Sequence, residues 1–226
     1  MKEPPHLSTK RVLIFANGQP ESGPLLDRVL TEAAEACVIA ADGGARLARH
    51  YGLTVQRVIG DMDSLTPDEL DALAQAGADI QRHPEEKDET DLELALLWAT
   101  EAGAEWIRII GGIGGRFDQT LGNVYLLALP ALVGCDVRLV TPTQEIYVLR
   151  PGVNHLHGQP DDTISLIPLS TSVTGIHTDN LYYPLDNERL VLGPARGISN
   201  VLVASPAQVS FSDGLLLVVH TMGRAE

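Results

Sequence analysis

Short apolar runs alternate with longer stretches of helical spacing from Arg11 to about Pro142. The runs Val12–Ala16, Val38–Ala41, Val58–Gly60, Asp79–Arg82, Ile107–Ile110 and Val137–Val140 predict strands. Between them, Leu25–Glu35, Ala45–Tyr51, Pro67–Ala76, Asp91–Ala102 and Thr120–Leu129 predict helices. Short buried strands separated by helices are the pattern of a mostly parallel sheet with helices on both faces, because each crossover lays a helix on the sheet. In the fourth helix Leu92, Ala95, Leu96 and Ala99 recur at helical spacing, while Leu94, Leu97 and Trp98 widen the apolar face. That helix is expected to be buried on more than one side.

The texture changes after Thr141. Ile146–Leu149, Thr163–Ile167, Val173–His177, Leu190–Leu192, Val201–Ala204, Val209–Phe211 and Leu215–His220 are short β-type runs, and no helical pattern interrupts them. Turn residues punctuate the series at Pro151-Gly152, Asp161-Asp162, Asp186-Asn187, Gly193-Pro194 and Ser212-Asp213-Gly214. Strands at such spacing predict a smaller antiparallel sandwich or barrel. The boundary falls within 142–152, giving an α/β domain over 1–145 and a β domain over 146–226.

Composition narrows the partners. The chain has 226 residues, 44% of them hydrophobic and 20% charged, and a formal net charge of −14. That is globular composition with a core of useful size. The negative balance and the lack of a dense Lys/Arg run argue against nucleic acid as a partner. A nucleotide stays possible where cations or a few placed basic side chains offset the charge. Cys37 and Cys135 form no C-x-x-C pair, so two reduced thiols are the simplest reading and a single disulfide the alternative. Met1 to Lys10 is polar and contains proline, no run reaches the length of a membrane span, and the cytoplasm is the expected setting.

The candidate chemistry lies at strand ends. The second predicted strand finishes in Ala41-Asp42-Gly43-Gly44 and the third in Gly60-Asp61-Met62-Asp63-Ser64. Ligands of open α/β sheets bind outside the carboxyl ends of the strands. Asp61 and Asp63 are two apart and point the same way in an extended segment. With Asp42 on the same rim, such carboxylates suit a hard divalent cation carrying nucleotide phosphates. Any one of these aspartates alone reads more readily as a turn-former, and it is the set at successive strand ends that favours the metal. A third cluster, His83 to Glu93, offers Asp88 and Asp91 to complete a cation site and Lys87 to meet a phosphate, while Thr90 and Glu93 fit a capping box. The fourth, Gly111-Gly112-Ile113-Gly114-Gly115-Arg116-Phe117-Asp118-Gln119, is a glycine loop before a helix, whose amides can face phosphate oxygens beside the Arg116 guanidinium. It fits neither G-x-G-x-x-G nor the P-loop pattern. His155 and His157 read as polar surface rather than a metal pair, and no G-x-S-x-G elbow is present.

In this order the elements resemble the thiamine pyrophosphokinase family. The match runs through Ala41–Ala45, Gly60–Ser64, Lys87–Asp91 and Gly111–Gln119, then Ile164–Ser170, Leu181–Leu185 and Gly197–Asn200. The resemblance implies an α/β catalytic domain, a C-terminal β-sandwich, a homodimer, and transfer of the diphosphate of ATP to thiamine with Mg²⁺. By motif position it implies Asp61, Asp63 and Asp91 as metal ligands, with Asp42 and Asp88 as supporting acids. Gly43, Gly44, Lys87, Thr90, Gly112, Arg116, Asp118 and Gln119 fall on the nucleotide side. Tyr183, Ser199 and Asn200 fall where the family contacts thiamine, reaching the active site of a partner subunit. Three positions depart from the family pattern: Asn180 stands where a Gly is common, Val201 where an acid is, and Gln119 where many members have His. A diphosphokinase for another hydroxymethyl heterocycle, such as a pterin, and a non-catalytic sensor are the alternative readings.

Overall fold

The computed structural model describes Leu7 and residues 9–225, so most of the polar opening segment lies outside the described residues. The chain divides into two compact units, Met1–Pro142 and Thr143–Glu226.

The first unit carries strands β1 (Arg11–Phe15), β2 (Cys37–Ala41), β3 (Arg57–Gly60), β4 (Asp79–Arg82), β5 (Trp106–Ile110) and β6 (Asp136–Val140). Helices α1 (Pro24–Glu32), α2 (Gly44–His50), α3 (Pro67–Gln75), α4 (Asp91–Glu101) and α5 (Phe117–Leu126) connect them. The strands pair in parallel in the order β6-β5-β1-β2-β3-β4. From β1 the chain winds outward to β4, then returns to β1's other side with β5, so the strand order reverses between β1 and β5. Such a switch point splays the connections apart and leaves a crevice at the strands' carboxyl ends. The core holds Val12–Phe15, Ile39, Val58, Ile59, Ile107 and Ile109, and α4 packs Ala95, Leu96 and Ala99, all fully buried, against β1, β2 and β3. That dense apolar packing is what fixes the rim.

Three helical expectations shift, the first helix being Pro24–Glu32 rather than Leu25–Glu35. The last helix begins at Phe117 rather than Thr120 and ends at Leu126 rather than Leu129. Its end follows from Pro130, which holds Leu129 at ψ 134, outside the helical range. Of the capping box expected at Thr90 and Glu93, the structure forms the Thr90 half, with Glu93 N donating to Thr90 Oγ1 at 3.2 Å. The two-way box is the one at Thr66 and Glu69, at the start of α3.

The second unit is an antiparallel sandwich, as the sandwich-or-barrel expectation allowed. One sheet has β12 (Asn200–Val201), β9 (Thr163–Pro168), β14 (Leu216–Thr221) and β7 (Gln144–Leu149); the other has β11 (Glu188–Val191), β10 (Ser172–Asp179), β13 (Ala207–Phe211) and β8 (Gly152–Leu156). Alternate residues of the strands, among them Ile164, Leu166, Val173, Ile176, Val209, Leu216 and Val218, interlock in one apolar core. β8 was not expected, because it is an edge strand exposed along most of its length and lacks the two-residue alternation. His155 lies on it, paired with Gln208. The run Val201–Ala204 shortens to the two residues of β12. Beneath the core, the buried Asp162 carboxylate accepts from Gln159 N at 2.8 Å, Gly223 N at 2.7 Å and the His220 ring at 2.8 Å. Burial alone would raise its pKa; these donors hold it below the usual carboxylate value. Among the described residues no helix is long and apolar enough to cross a membrane.

Candidate active site

The crevice at the switch point is a cleft of about 780 Å³. The segment after β1 (Asn17, Gly18) and the glycine loop after β5 (Gly111–Gly115) form one side; Asp42, Asp61, Lys87 and Asp91 form the other. Each acid reaches it from a different connection: Asp42 after β2, Asp61 after β3, and Asp91 at the first position of α4.

Asp42, Asp61 and Asp91 each offer a carboxylate oxygen within 4.8 Å of the others. Backbone geometry permits this convergence. Asp42 takes φ 44 and Met62 φ 69, left-handed conformations that turn the chain sharply at the strand ends. Gly60 is required for a different reason. With φ 154, a Cβ there would lie 2.9 Å from Asp91 Cγ and 3.0 Å from Asp42 Cβ, so only a bare backbone lets the acids close. Gly44 lies under the same rim, where a Cβ would come within 1.9 Å of Phe15 O.

The cluster is short of positive charge. Asp42 Oδ1 and Asp91 Oδ1 are buried without a hydrogen-bond partner. Lys87 Nζ donates to Asp61 Oδ2 at 3.2 Å and lies 3.1 Å from Asp91 Oδ1 as an ion pair without hydrogen-bond alignment. Asp61 also accepts from Asp63 N at 3.1 Å, which together with Lys87 lowers its pKa. Asp91 goes the other way: burial and the charges of Asp61 and Asp42 outweigh Lys87 and raise it. Desolvation works against the charge of Lys87, but its two acid neighbours raise its pKa overall. One ammonium among three carboxylates leaves the net charge unbalanced, and orphaned buried acid oxygens are a donor set that a hard, oxygen-seeking divalent cation fits.

Asp63 is exposed at the cleft's mouth, where its carboxylate accepts from Ser64 Oγ at 3.0 Å. It stands outside the group formed by Asp42, Asp61 and Asp91. Thr90, Gly112, Arg116 and Gln119 line the cleft. Gly43 and Gly44 lie buried behind it, and the exposed Asp88 is not part of its lining. Asp118 pairs with Arg116, with two hydrogen bonds of 3.2 and 2.5 Å, and that ion pair raises the arginine pKa and lowers the aspartate's.

Residues not singled out in the sequence also shape the cleft. Asn123 of α5 donates to Gly112 O at 2.6 Å, and Thr120 Oγ1 accepts from Gly114 N at 3.1 Å. The helix thereby ties down the loop, while Gly114 and Gly115 have open space where a side chain would be. Asn17 carries the one available signal: a polar Asn-Gly pair ending an apolar strand.

In the second unit, Tyr183 is exposed, and its ring meets Tyr182 edge-on at 4.9 Å. Ser199 has φ 57 and donates its amide to Ser165 Oγ at 3.1 Å. Asn200 is buried, its side chain accepting from Tyr183 N and Val201 N, both at 2.9 Å, and donating to Tyr183 O at 2.7 Å. Asn180 takes φ 61, the left-handed turn a glycine would otherwise supply.

Carboxylates facing an open glycine loop across the switch point of a doubly wound sheet suit an enzyme that moves phosphoryl groups. Comparison with known proteins agrees and is more specific. The family model for "Thiamin pyrophosphokinase, catalytic domain" matches residues 29–139, and that for "Thiamin pyrophosphokinase, vitamin B1 binding domain" matches 153–216. The Bacillus subtilis thiamine pyrophosphokinase is 33% identical over 184 residues, covering 81% of this chain and 86% of the relative. A crystal structure of the thiamine pyrophosphokinase from Bacillus subtilis superposes with a TM-score of 0.82 at 30% identity, covering 94% of this chain and 99% of that one. That of a thiamin pyrophosphokinase family protein from Enterococcus faecalis gives 0.82 at 29%, covering 95% and 100%. The chain belongs to the thiamine pyrophosphokinase family, and it is a diphosphotransferase.

Proposed function

We propose that this protein transfers the diphosphate of ATP to the hydroxyl of thiamine, releasing AMP and thiamine diphosphate. The observation that carries the proposal is the convergence of Asp42, Asp61 and Asp91 opposite the glycine loop, with Asp42 Oδ1 buried without a partner and a single ammonium shared by the other two. In this reading Asp42, Asp61 and Asp91 hold Mg²⁺, with Asp63 beside them at the mouth. Bound there, Mg²⁺ supplies charge neutralisation for the phosphoryl oxygens. Amides of the Gly112–Gly115 loop other than Gly114's, which Thr120 Oγ1 takes, and those of the first turn of α5 receive phosphate oxygens, aided by Arg116. The thiamine oxygen forms a bond to the β-phosphorus, and the bond from that phosphorus to the bridging oxygen breaks, with AMP keeping that oxygen. The hydroxyl proton passes to a carboxylate on the α4 side, the candidates being Asp91, which lines the cleft, and Asp88, which is exposed outside its lining.

Tyr183, presented by the Asn200 clamp, supplies an aromatic face for thiamine, and Ser199 lies in the same segment. A homodimer is supported by α5, which buries none of its residues and exposes Phe117, Leu121 and Tyr125 at four-residue spacing. ATP as donor and the free thiols Cys37 and Cys135 support a cytoplasmic setting. The test is incubation with ATP, Mg²⁺ and thiamine, scoring AMP and thiamine diphosphate in equal amounts. AMP formed with a hydroxymethyl pterin and not with thiamine would overturn the acceptor; no AMP with either would overturn the activity.

A further inference from the structure

Lys87 comes from the loop between β4 and α4, and its ammonium sits inside the acid cluster. It donates to Asp61 Oδ2 at 3.2 Å and to Pro84 O at 3.1 Å, and lies 3.1 Å from Asp91 Oδ1. Its side chain is only 12% exposed. A divalent cation bound to those carboxylates would lie about 2.0–2.6 Å from their oxygens. The ammonium already draws on the same oxygens, so the two positive charges compete for one electrostatic well. A lysine suits such an exchange: its charge is a compact point on a flexible four-carbon stem with three rotatable donors. Only the side chain has to leave, and the phosphate-facing side of the cleft gives it somewhere to go.

We infer that Lys87 is the resident counter-cation of the nucleotide-free cleft, displaced by the incoming divalent cation and then re-paired with a phosphate oxygen of the nucleotide. The inference rests on the cation reading of Asp42, Asp61 and Asp91. It makes the cleft self-occupied: a bare cation must first evict the ammonium, whereas a cation arriving with a nucleotide brings the ammonium a new partner. Cation and nucleotide then bind with positive coupling, because each removes part of the other's cost.

The two halves of this exchange have opposite signs in a Lys87→Met protein. Bare Mn²⁺, followed through the free-ion spin-resonance signal without nucleotide, should bind roughly tenfold tighter than to wild type, because the competing population is gone. A non-transferable ATP analogue in saturating Mn²⁺ should bind weaker by a similar factor. Lys87→Arg, which keeps the charge, should leave bare Mn²⁺ affinity near wild type. Lys87→Gln carries the same prediction as Lys87→Met and keeps a donor for Pro84 O should the methionine variant not fold. Weaker binding of both ligands would make Lys87 a structural residue and overturn the inference. Weaker nucleotide binding with unchanged bare Mn²⁺ affinity would make it a phosphate contact only, and also overturn it. If neither wild type nor variant binds Mn²⁺ with or without the analogue, the cation reading itself falls.

Discussion

Replacing Gly60 with alanine places one methyl group where three acidic connections meet. The new Cβ would lie 2.9 Å from Asp91 Cγ and 3.0 Å from Asp42 Cβ, on a backbone with φ 154. The backbone conformation costs an alanine about 1–3 kcal/mol, and overpacking typically costs about 1–3 kcal/mol more. If the carboxylates keep their places, the sum is about 2–6 kcal/mol, against the roughly 5–15 kcal/mol that keeps a domain folded. If Asp91 and Asp42 yield instead, the stability loss moves toward the lower figure, and the cluster opens. A displacement near 1 Å at a reacting centre costs about a hundredfold in rate. Both tryptophans, Trp98 on α4 and Trp106 on β5, belong to the first unit, so urea unfolding followed by tryptophan fluorescence reads that unit. The expected result is a lower midpoint with an unchanged slope, and thiamine diphosphate formation reduced about a hundredfold. A Gly60→Ala protein with the wild-type midpoint and the wild-type rate would refute the argument that a bare backbone is what brings the acids together.

Asp61→Asn and Asp91→Asn should each lower turnover by about a hundredfold or more, and Asp63→Asn by less; a loss confined to Asp63→Asn would remove the shared-cation reading. Glu69 is held at about 2 from an ordinary 4.5, first by its hydrogen bonds to Arg46 and then by the Thr66 amide. Because its folded pKa is depressed, its contribution is complete above about pH 4.5 and disappears as the pH falls toward about 2. The pair is largely solvated, so the contribution is about 0.2–1 kcal/mol. Acid unfolding of Glu69→Gln should show a shallower loss over that window than wild type; identical profiles would count against the pair. Asn200→Ala leaves Tyr183 N and Val201 N without their shared acceptor, a cost of about 1–3 kcal/mol to the second unit. It should raise KM for thiamine with kcat little changed, and an unaltered KM would show that the clamp does not set Tyr183's position.

Why some of this was legible in the sequence and some was not has physical causes. Asp42 and Asp61 announced themselves because parallel strands all end on one side, so an acid after each strand must share a rim. Asp42's place within the cluster is less legible, since nothing local says that the 18 intervening residues fold back to bring it beside Asp61. Asp63 stands outside the three-acid group for the converse reason. The alternation rule that put it beside Asp61 assumes an extended chain, and Met62 at φ 69 breaks the strand there. Asn123 and Thr120 carry no local signal at all, because their partners are backbone atoms of a loop earlier in the chain. Asn200 kept its motif position but changed its meaning: its amide is consumed by the backbone around Tyr183. Edge strand β8 was invisible because only buried strands need alternation.

The strand reversal between β1 and β5 also orders events in time. Asp42, Asp61, Lys87 and Asp91 all emerge before β5 during synthesis from the N-terminus, while the glycine loop follows it. A nascent chain stopped after α4 would carry the acids and one ammonium with only Asn17 and Gly18 of the opposite side. On the proposed reading, nucleotide lacks the glycine loop until β5 docks beside β1, and whatever protection it confers falls only on chains past that step.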